Sequence, residues 1–393
     1  MAARDSIRRT ERALVEQFGE ADRPISLVSA PGRVNLIGGH TDYNEGVVLP
    51  MAIDHRAFLA ARPRDDDEIR AHSLNFEETV SFPLGAIEPS PETRWANYVK
   101  GVAAKLRERG HDVGGADVVV DGQVPMGAGL SSSAALEVAV GEGLAATSDL
   151  DLGDDLVTAC WEAENDFVGV GCGVMDQYTS VHGQLDSALF LDCRTESHEV
   201  IPVDGDEVTV IATNTNVQHE LVDSAYNDRV DSCARGVEIL DDHLDGEVTA
   251  LADVSVDDFE AHAEELPETV RKRVRHVVTE NDRVRDAADA LREGDLDRVG
   301  DLLDQSHASL RDDYEVSCDE LDAVADIGAD HEAVFGSRMT GAGFGGCVIS
   351  LVRPDAVDDV TALIEHEYEE RTNIEPDSYV CNPDGGVRRH DTR

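Results

Sequence analysis

The stretch VPMGAGLSSSAALE, residues 124–137, narrows the possible folds more than any other part of the chain. It predicts a strand, ADVVVDGQV, that ends at Val124. A turn of Gly127, Ala128, Gly129 and Leu130 follows, then a helix opened by Ser131, Ser132 and Ser133. A helix start presents unpartnered backbone N–H groups and the positive end of the helix dipole, and both suit an anion. Glycine in the turn lets a phosphate approach the backbone. A serine hydroxyl at the same place can ligate Mg²⁺. A plain capped helix after a tight turn would use the same residues, because serine is a good N-cap. Neither GxxxxGKS nor GxxxxGKT is present, which argues against an ordinary P-loop NTPase.

Two further stretches imitate ligand loops. TGAGFGGCVISLV, residues 340–352, contains G-x-G-x-x-G at Gly341, Gly343 and Gly346. A dinucleotide fingerprint follows a strand and opens a helix, whereas the apolar, β-branched residues here predict a strand next. A glycine turn packed against another loop is the better account. DDHLDGEVTALA, residues 241–252, begins like a calcium loop but ends on Ala252, where a bidentate Glu is needed.

Two polar stretches remain. GRVNLIGGHTDYNEG, residues 32–46, sets Arg33, His40, Asp42 and Tyr43 among glycines. AENDFVGVGCGVMDQY, residues 163–178, puts Glu164 on a helix and Asp176 beyond three glycines. Cys172, Val174 and Met175 predict a buried setting for Asp176, and a buried carboxylate needs a partner. Arg33 is one candidate and a substrate hydroxyl is another.

The wider chain is α+β in mixed order. Helical patterns cover 4–19 and 95–110 and dominate from about 222 to 329, while β-like runs fill 26 to about 83. A division near 195–205 gives an expected N-terminal domain, 1–200, and a C-terminal domain, 201–393. The formal charge is −49, from 82 acidic and 33 basic residues spread along the whole length. Such a diffuse acidic surface fits a salt-adapted cytoplasm, where the repulsion is screened, and argues against nucleic acid as a partner. No stretch predicts a signal peptide or a membrane span. Seven scattered cysteines without a CxxC pair fit reduced thiols.

Taken together, these motifs resemble the GHMP kinase superfamily and, within it, the galactokinase family. The segments that carry the resemblance are APGRVNLIGGHTDYNEGVVLPMAI, VPMGAGLSSSAALE, ENDFVGVGCGVMDQY, NTNVQHELVDSAYNDR, SHASLRDDYEVSCDELD and RMTGAGFGGCVISL. The resemblance implies an N-terminal α/β domain of the ribosomal protein S5 domain 2-like type and a C-terminal ferredoxin-like domain, with the active site between them. It implies ATP as co-substrate, Mg²⁺ as metal, and phosphoryl transfer to the anomeric hydroxyl of galactose. Asp176 would be the general base, and Arg33 would hold it ionised. Gly39, His40, Thr41, Asp42, Gly173 and Tyr226 would surround the sugar. Gly127 to Ser133 would wrap the phosphates, with Ser73 near the nucleotide. Ser133 and Glu164 would ligate Mg²⁺.

Two positions depart from the family pattern. Gly39 stands where galactokinases usually carry a Glu that binds the sugar's C6 hydroxyl, and Gln218 stands where a basic residue is common. Gly39 keeps alternatives in view: a sibling kinase for galacturonate, arabinose or another hexose, or a non-catalytic sugar sensor. The sequence leaves both monomer and homodimer open.

Overall fold

Three sheets organise the chain in the computed structural model, which describes residues 2–218 and 222–391. The side chain of Gln218 lies outside the described residues. The strands are β1 (Ser26–Asn35), β2 (Val47–Val48), β3 (Pro50–Pro63), β4 (Glu68–Ser73), β5 (Glu78–Pro83), β6 (Ala116–Gly122), β7 (Ser187–Asp192) and β8 (Ser197–Pro202). They continue with β9 (Thr209–Gln218), β10 (Val334–Thr340), β11 (Gly345–Val352), β12 (Asp377–Cys381) and β13 (Arg388–His390).

The first sheet runs in the order β13-β1-β3-β6-β4-β5, and β4 lies parallel to β6. A parallel pair needs a crossover, and the helix Arg94–Glu108 lies within it. The helix Ser132–Thr147 follows the small-residue turn and is buried along almost its whole length. Its composition explains how it fits. A Cβ at Gly143 would strike Leu59, and one at Gly141 would strike Leu156, so bare backbone admits the sheet on one side and a neighbouring helix on the other. A short antiparallel sheet, β2-β7-β8, completes this half.

The second sheet is antiparallel in the order β10-β11-β9-β12. Long helices, among them Val222–Asp241 and Glu268–Glu293, fall between β9 and β10, and Val357–Thr372 falls between β11 and β12. That connectivity is the ferredoxin-like pattern. The glycine stretch at 341–346 runs directly into β11, as its β-branched continuation predicts. The strands up to residue 202 and those from 209 to 381 belong to different sheets. β13 then crosses back to pair with β1. Among the described residues, no helix is long and apolar enough to cross a membrane.

The two halves are locked by buried polar groups. On helix Glu268–Glu293, His276, Glu280 and Asn281 are buried. His276 Nε2 lies 3.0 Å from the Gly39 carbonyl, Glu280 accepts from the Gly38 N–H at 3.0 Å, and Asn281 accepts from the Val47 N–H at 3.0 Å. From β10, Arg338 is 1% exposed and donates to the carbonyls of Asn35 and Leu36 at 3.0 and 2.9 Å. Replacing Arg338 by Ala would leave those carbonyls and the Glu280 carboxylate without this cation. Urea unfolding of Arg338→Ala should show a loss of about 3–5 kcal/mol; a loss below ~1 kcal/mol would contradict the interface role.

Candidate active site

Arg33 is held in place by an irregularity in a strand. Strand β1 runs through Pro31, Gly32 and Arg33, with a register shift against β3 between Pro31 and Arg33. A bulge of this kind re-aims the side chain that follows it. At Gly32 a Cβ would collide with the Leu130 carbonyl and lie 2.8 Å from Val124, so β1 touches the glycine turn at 127–130 there. The Arg33 N–H donates to Leu130 O at 3.1 Å, and its Nη1 donates to Gly129 O at 2.7 Å.

The rest of the guanidinium faces Asp176, in the first turn of helix Met175–His182. Nε donates to Oδ1 and Nη2 to Oδ2, each at 2.8 Å, in a two-pronged pair. The expected partnership of Arg33 and Asp176 is thus present across 143 positions of sequence. Arg33 is almost fully enclosed, while the Asp176 side chain keeps 20% exposure toward a cavity.

That cavity, of about 380 Å³, is lined by Arg33, Gly39, His40, Asp42, Asp176 and Tyr226, among others. His40 adopts φ +62° and is buried, with Nδ1 2.9 Å from the Tyr43 hydroxyl, while its Nε2 has no hydrogen-bond partner among the described residues. Burial drives its pKa down to about 3, so the ring is neutral at neutral pH. Tyr43 bonds Tyr314 at 2.7 Å, and the Tyr226 ring lies 5.8 Å from that of His40. Burial, and then the nearby charge of Asp176, push Asp42 up to about 6.

Three of the expected sugar-site residues also make close contacts within the protein. Thr41 is fully buried and directs its hydroxyl to the carbonyls of Gly38 and Val47, where it braces the turn. Gly173 packs on Asp42, since a Cβ there would overlap the Asp42 carboxylate. Gly39 lines the cavity, but a Cβ would lie 2.7 Å from Arg338 Nη2 and 3.3 Å from Leu310. The room a side chain would need at 39 is filled by the buried Arg338 guanidinium.

The expected phosphate loop reaches the wall of this cavity through the contacts of Gly129 and Leu130 with Arg33 and of Ser131 with Asp176. Gly127 and Gly129 have φ of +75° and +65°, which glycine adopts without steric cost. Ala128 between them and Leu130 after them are buried. A Cβ on Gly341 would sit 3.9 Å from the Cα of Gly129, so the second glycine stretch does pack against this loop. A second cavity, of about 260 Å³, is lined by Ser132, Ser133 and Ser73 together with Phe76, Trp95 and Tyr98. Phe76 and Trp95 stack with centroids 6.3 Å apart. The sequence places Trp95 and Tyr98 on the helix expected over 95–110, and nothing in it marks them as part of a cavity wall.

Glu164 lies deeper, on a π-helical turn, Ala163–Val168, and is 5% exposed. Gln177 Nε2 donates to it at 2.6 Å and to Glu137 at 3.0 Å. Burial first, then Asp176, raise the pKa of Glu164, while a hydrogen bond from Ser133 opposes the rise. Burial and the Glu164 charge push Glu137 well above the usual carboxylate range. Sequence reasoning missed Glu137 and Gln177. Both sat inside quoted motifs, but nothing in their spacing shows that they meet.

Residues 13–63 match the galactokinase galactose-binding signature. Residues 97–184 match the GHMP kinases N terminal domain, and residues 287–369 match the GHMP kinases C terminal model. A galactokinase of Roseiflexus sp. (strain RS-1) is 44% identical over 367 residues, covering 93% of each chain. The chain belongs to the galactokinase family. The crystal structure of Lactococcus lactis galactokinase complexed with galactose superposes with a TM-score of 0.92 at 36% identity, over 97% of this chain and 98% of that one. The mevalonate kinase of Methanococcus jannaschii, at 16% identity, TM-score 0.60 and coverage of 91% and 98%, shares the fold alone. As a GHMP kinase of this family, the chain is an ATP-dependent sugar kinase.

Asp42 gives this site a pH signature. Its folded pKa of about 6 stands above the ordinary 3.8, so ionising it costs stability. That cost begins above the unfolded value and is complete above the folded one. Asp42→Asn removes it. Relative to wild type, the variant should gain stability by about 1 kcal/mol more at pH 8 than at pH 5 in paired urea titrations. A gain that shrinks with rising pH would contradict the assignment.

Proposed function

We propose that the chain transfers the γ-phosphoryl group of ATP to the anomeric hydroxyl of galactose, giving galactose 1-phosphate and ADP. The observation that carries this reading is the position of Asp176, gripped by Arg33 at the wall of the 380 Å³ cavity and in contact with the phosphate loop. The galactokinase signature and the likeness to the galactose-bound relative support galactose over the sibling sugars.

In this reading the sugar occupies the cavity beside His40, Asp42 and Tyr226. Ionised Asp42 accepts from a sugar hydroxyl, and the unpartnered His40 Nε2 meets another. Asp176 Oδ receives the C1 hydroxyl proton as O1 bonds to the γ-phosphorus and the bond to the bridging oxygen of ADP breaks. Phosphoryl transfer demands positioning and charge neutralisation more than a strong base. Asp176 therefore acts chiefly by orienting the hydroxyl, and Arg33 fixes its orientation. The aromatic cavity beside Ser132 and Ser133 accepts the flat base of the nucleotide, and Ser73 lies in its wall.

The oxygen donors fit Mg²⁺. Glu164 is a buried carboxylate whose leading charged neighbour is the acidic Asp176, and Ser133 is among the groups that act on it. Among the described residues, no group of three or more His, Cys, Asp or Glu is arranged to hold a metal alone. That suits an ion held by one carboxylate, one hydroxyl and the nucleotide's own phosphates. Bound there, Mg²⁺ would neutralise phosphate charge.

A sugar panel tests the function: galactose, galacturonate, arabinose, fructose and N-acetylgalactosamine, each with ATP and Mg²⁺. Galactose should give the highest kcat/KM, and Asp176→Ala should lower kcat by about 10²-fold or more while retaining ADP binding. Turnover of another sugar in place of galactose would overturn the substrate, and an active Asp176→Ala would overturn the base.

The seven free thiols and the charge of −49 support a reducing, salt-rich cytoplasm as the setting. Raising KCl from about 0.1 to 1 M shortens the Debye length from about 10 to 3 Å. Melting temperature should rise across that range; a flat or falling profile would count against salt adaptation.

A further inference from the structure

We infer that Ser131 is a positioning residue for Asp176 and not a phosphate ligand, an assignment that rests on the role proposed above for Asp176. Its hydroxyl donates to Asp176 Oδ2 at 2.5 Å. Asp176 is thus held from two separate elements, by the Arg33 fork on β1 and by a hydroxyl on the phosphate loop.

Two ordinary reasons for a serine here fail. The first is backbone preference. Ser131 sits at φ 57°, ψ 50°, the left-handed region, where an L side chain crowds its own carbonyl and glycine does not. The backbone asks for glycine at 131, and a serine stands there. The second reason is helix capping. Ser131 occupies the N-cap of helix Ser132–Thr147, yet its side chain makes no capping hydrogen bond. A capping serine would occupy an N–H of the first turn. Here the hydroxyl turns away to Asp176, and no capping bond from Ser131 takes up those N–H groups. The neighbouring loop carbonyls of Gly129 and Leu130 are both bound by Arg33. Phosphate loop and carboxylate are therefore built as one rigid unit, and Ser131 is its side-chain link.

The test compares Ser131→Gly with Ser131→Ala. Glycine relieves the backbone and removes the hydroxyl, while alanine removes only the hydroxyl. The positioning role predicts that both variants lose kcat by about 10- to 100-fold, the scale expected for a misplaced catalytic group. KM for sugar and for ATP should stay within about threefold of wild type in both. Ser131→Gly should also melt at or above the wild-type temperature, so its lost turnover cannot be ascribed to a damaged fold. Wild-type kcat in Ser131→Gly would overturn the inference. So would a rise in KM for ATP with kcat preserved, since that is the signature of a phosphate ligand. The comparison uses whichever sugar the wild-type enzyme turns over, so failure of galactose as a substrate bears on the proposed function alone.

Discussion

Arg33 meets two pieces of chain that the sequence keeps far apart. Its guanidinium grips Asp176, and its backbone N–H and Nη1 hold the carbonyls of Leu130 and Gly129. A planar fork with several fixed donors can do this where lysine, a point charge on a flexible stem, cannot. Through that one side chain, strand β1, the phosphate loop and helix Met175–His182 share a common geometry. The bulge after Pro31 matters because it turns Arg33 toward all of them.

The electrostatics of the cleft follow from this arrangement. Asp42 and Asp176 interact, as do Asp176, Glu164 and Glu137. Arg33 is the cation that pairs with Asp176, whereas among the described residues the leading influences on Glu164 and Glu137 are burial and neighbouring carboxylates. Burial therefore lifts the pKa of those two and of Asp42. The exposed surface adds further negative charge. An anionic nucleotide must be drawn in by short-range features, namely backbone amides and a metal ion, because the long-range field opposes it.

Sequence pattern revealed those parts of the fold that depend on local order. The strand–turn–helix at 124–137, the strand after the second glycine stretch and the helix-rich segment from 222 to 329 all follow from periodicity and breaker residues. The pairing of Arg33 with Asp176 was suggested by burial logic. What stayed hidden depends on tertiary contact. Nothing in the sequence marks His276, Glu280 and Asn281 as partners of the backbone under Gly38, Gly39 and Val47, which the fold brings to them. Thr41 stands among ligand-facing neighbours, but its hydroxyl is turned inward. Ser131 reads as an N-cap, and only the fold brings Asp176 within its reach. Gly39 reads as a missing contact; in space it is where Arg338 sits.

Strand β13 has a consequence for how such a chain is made. Ser29 on β1 bonds His390 on β13 across 361 positions. During synthesis, residues 26 to 122 can collapse early, but that flank of β1 stays unpaired until nearly the whole ferredoxin-like half has left the ribosome. An open strand edge invites mispairing with other chains for as long as it waits. The two halves are thus not beads on a string: the second is spliced into a loop that opens and closes on the first, and the strand that carries Arg33 is flanked on that side by one of the late-made pieces of the molecule.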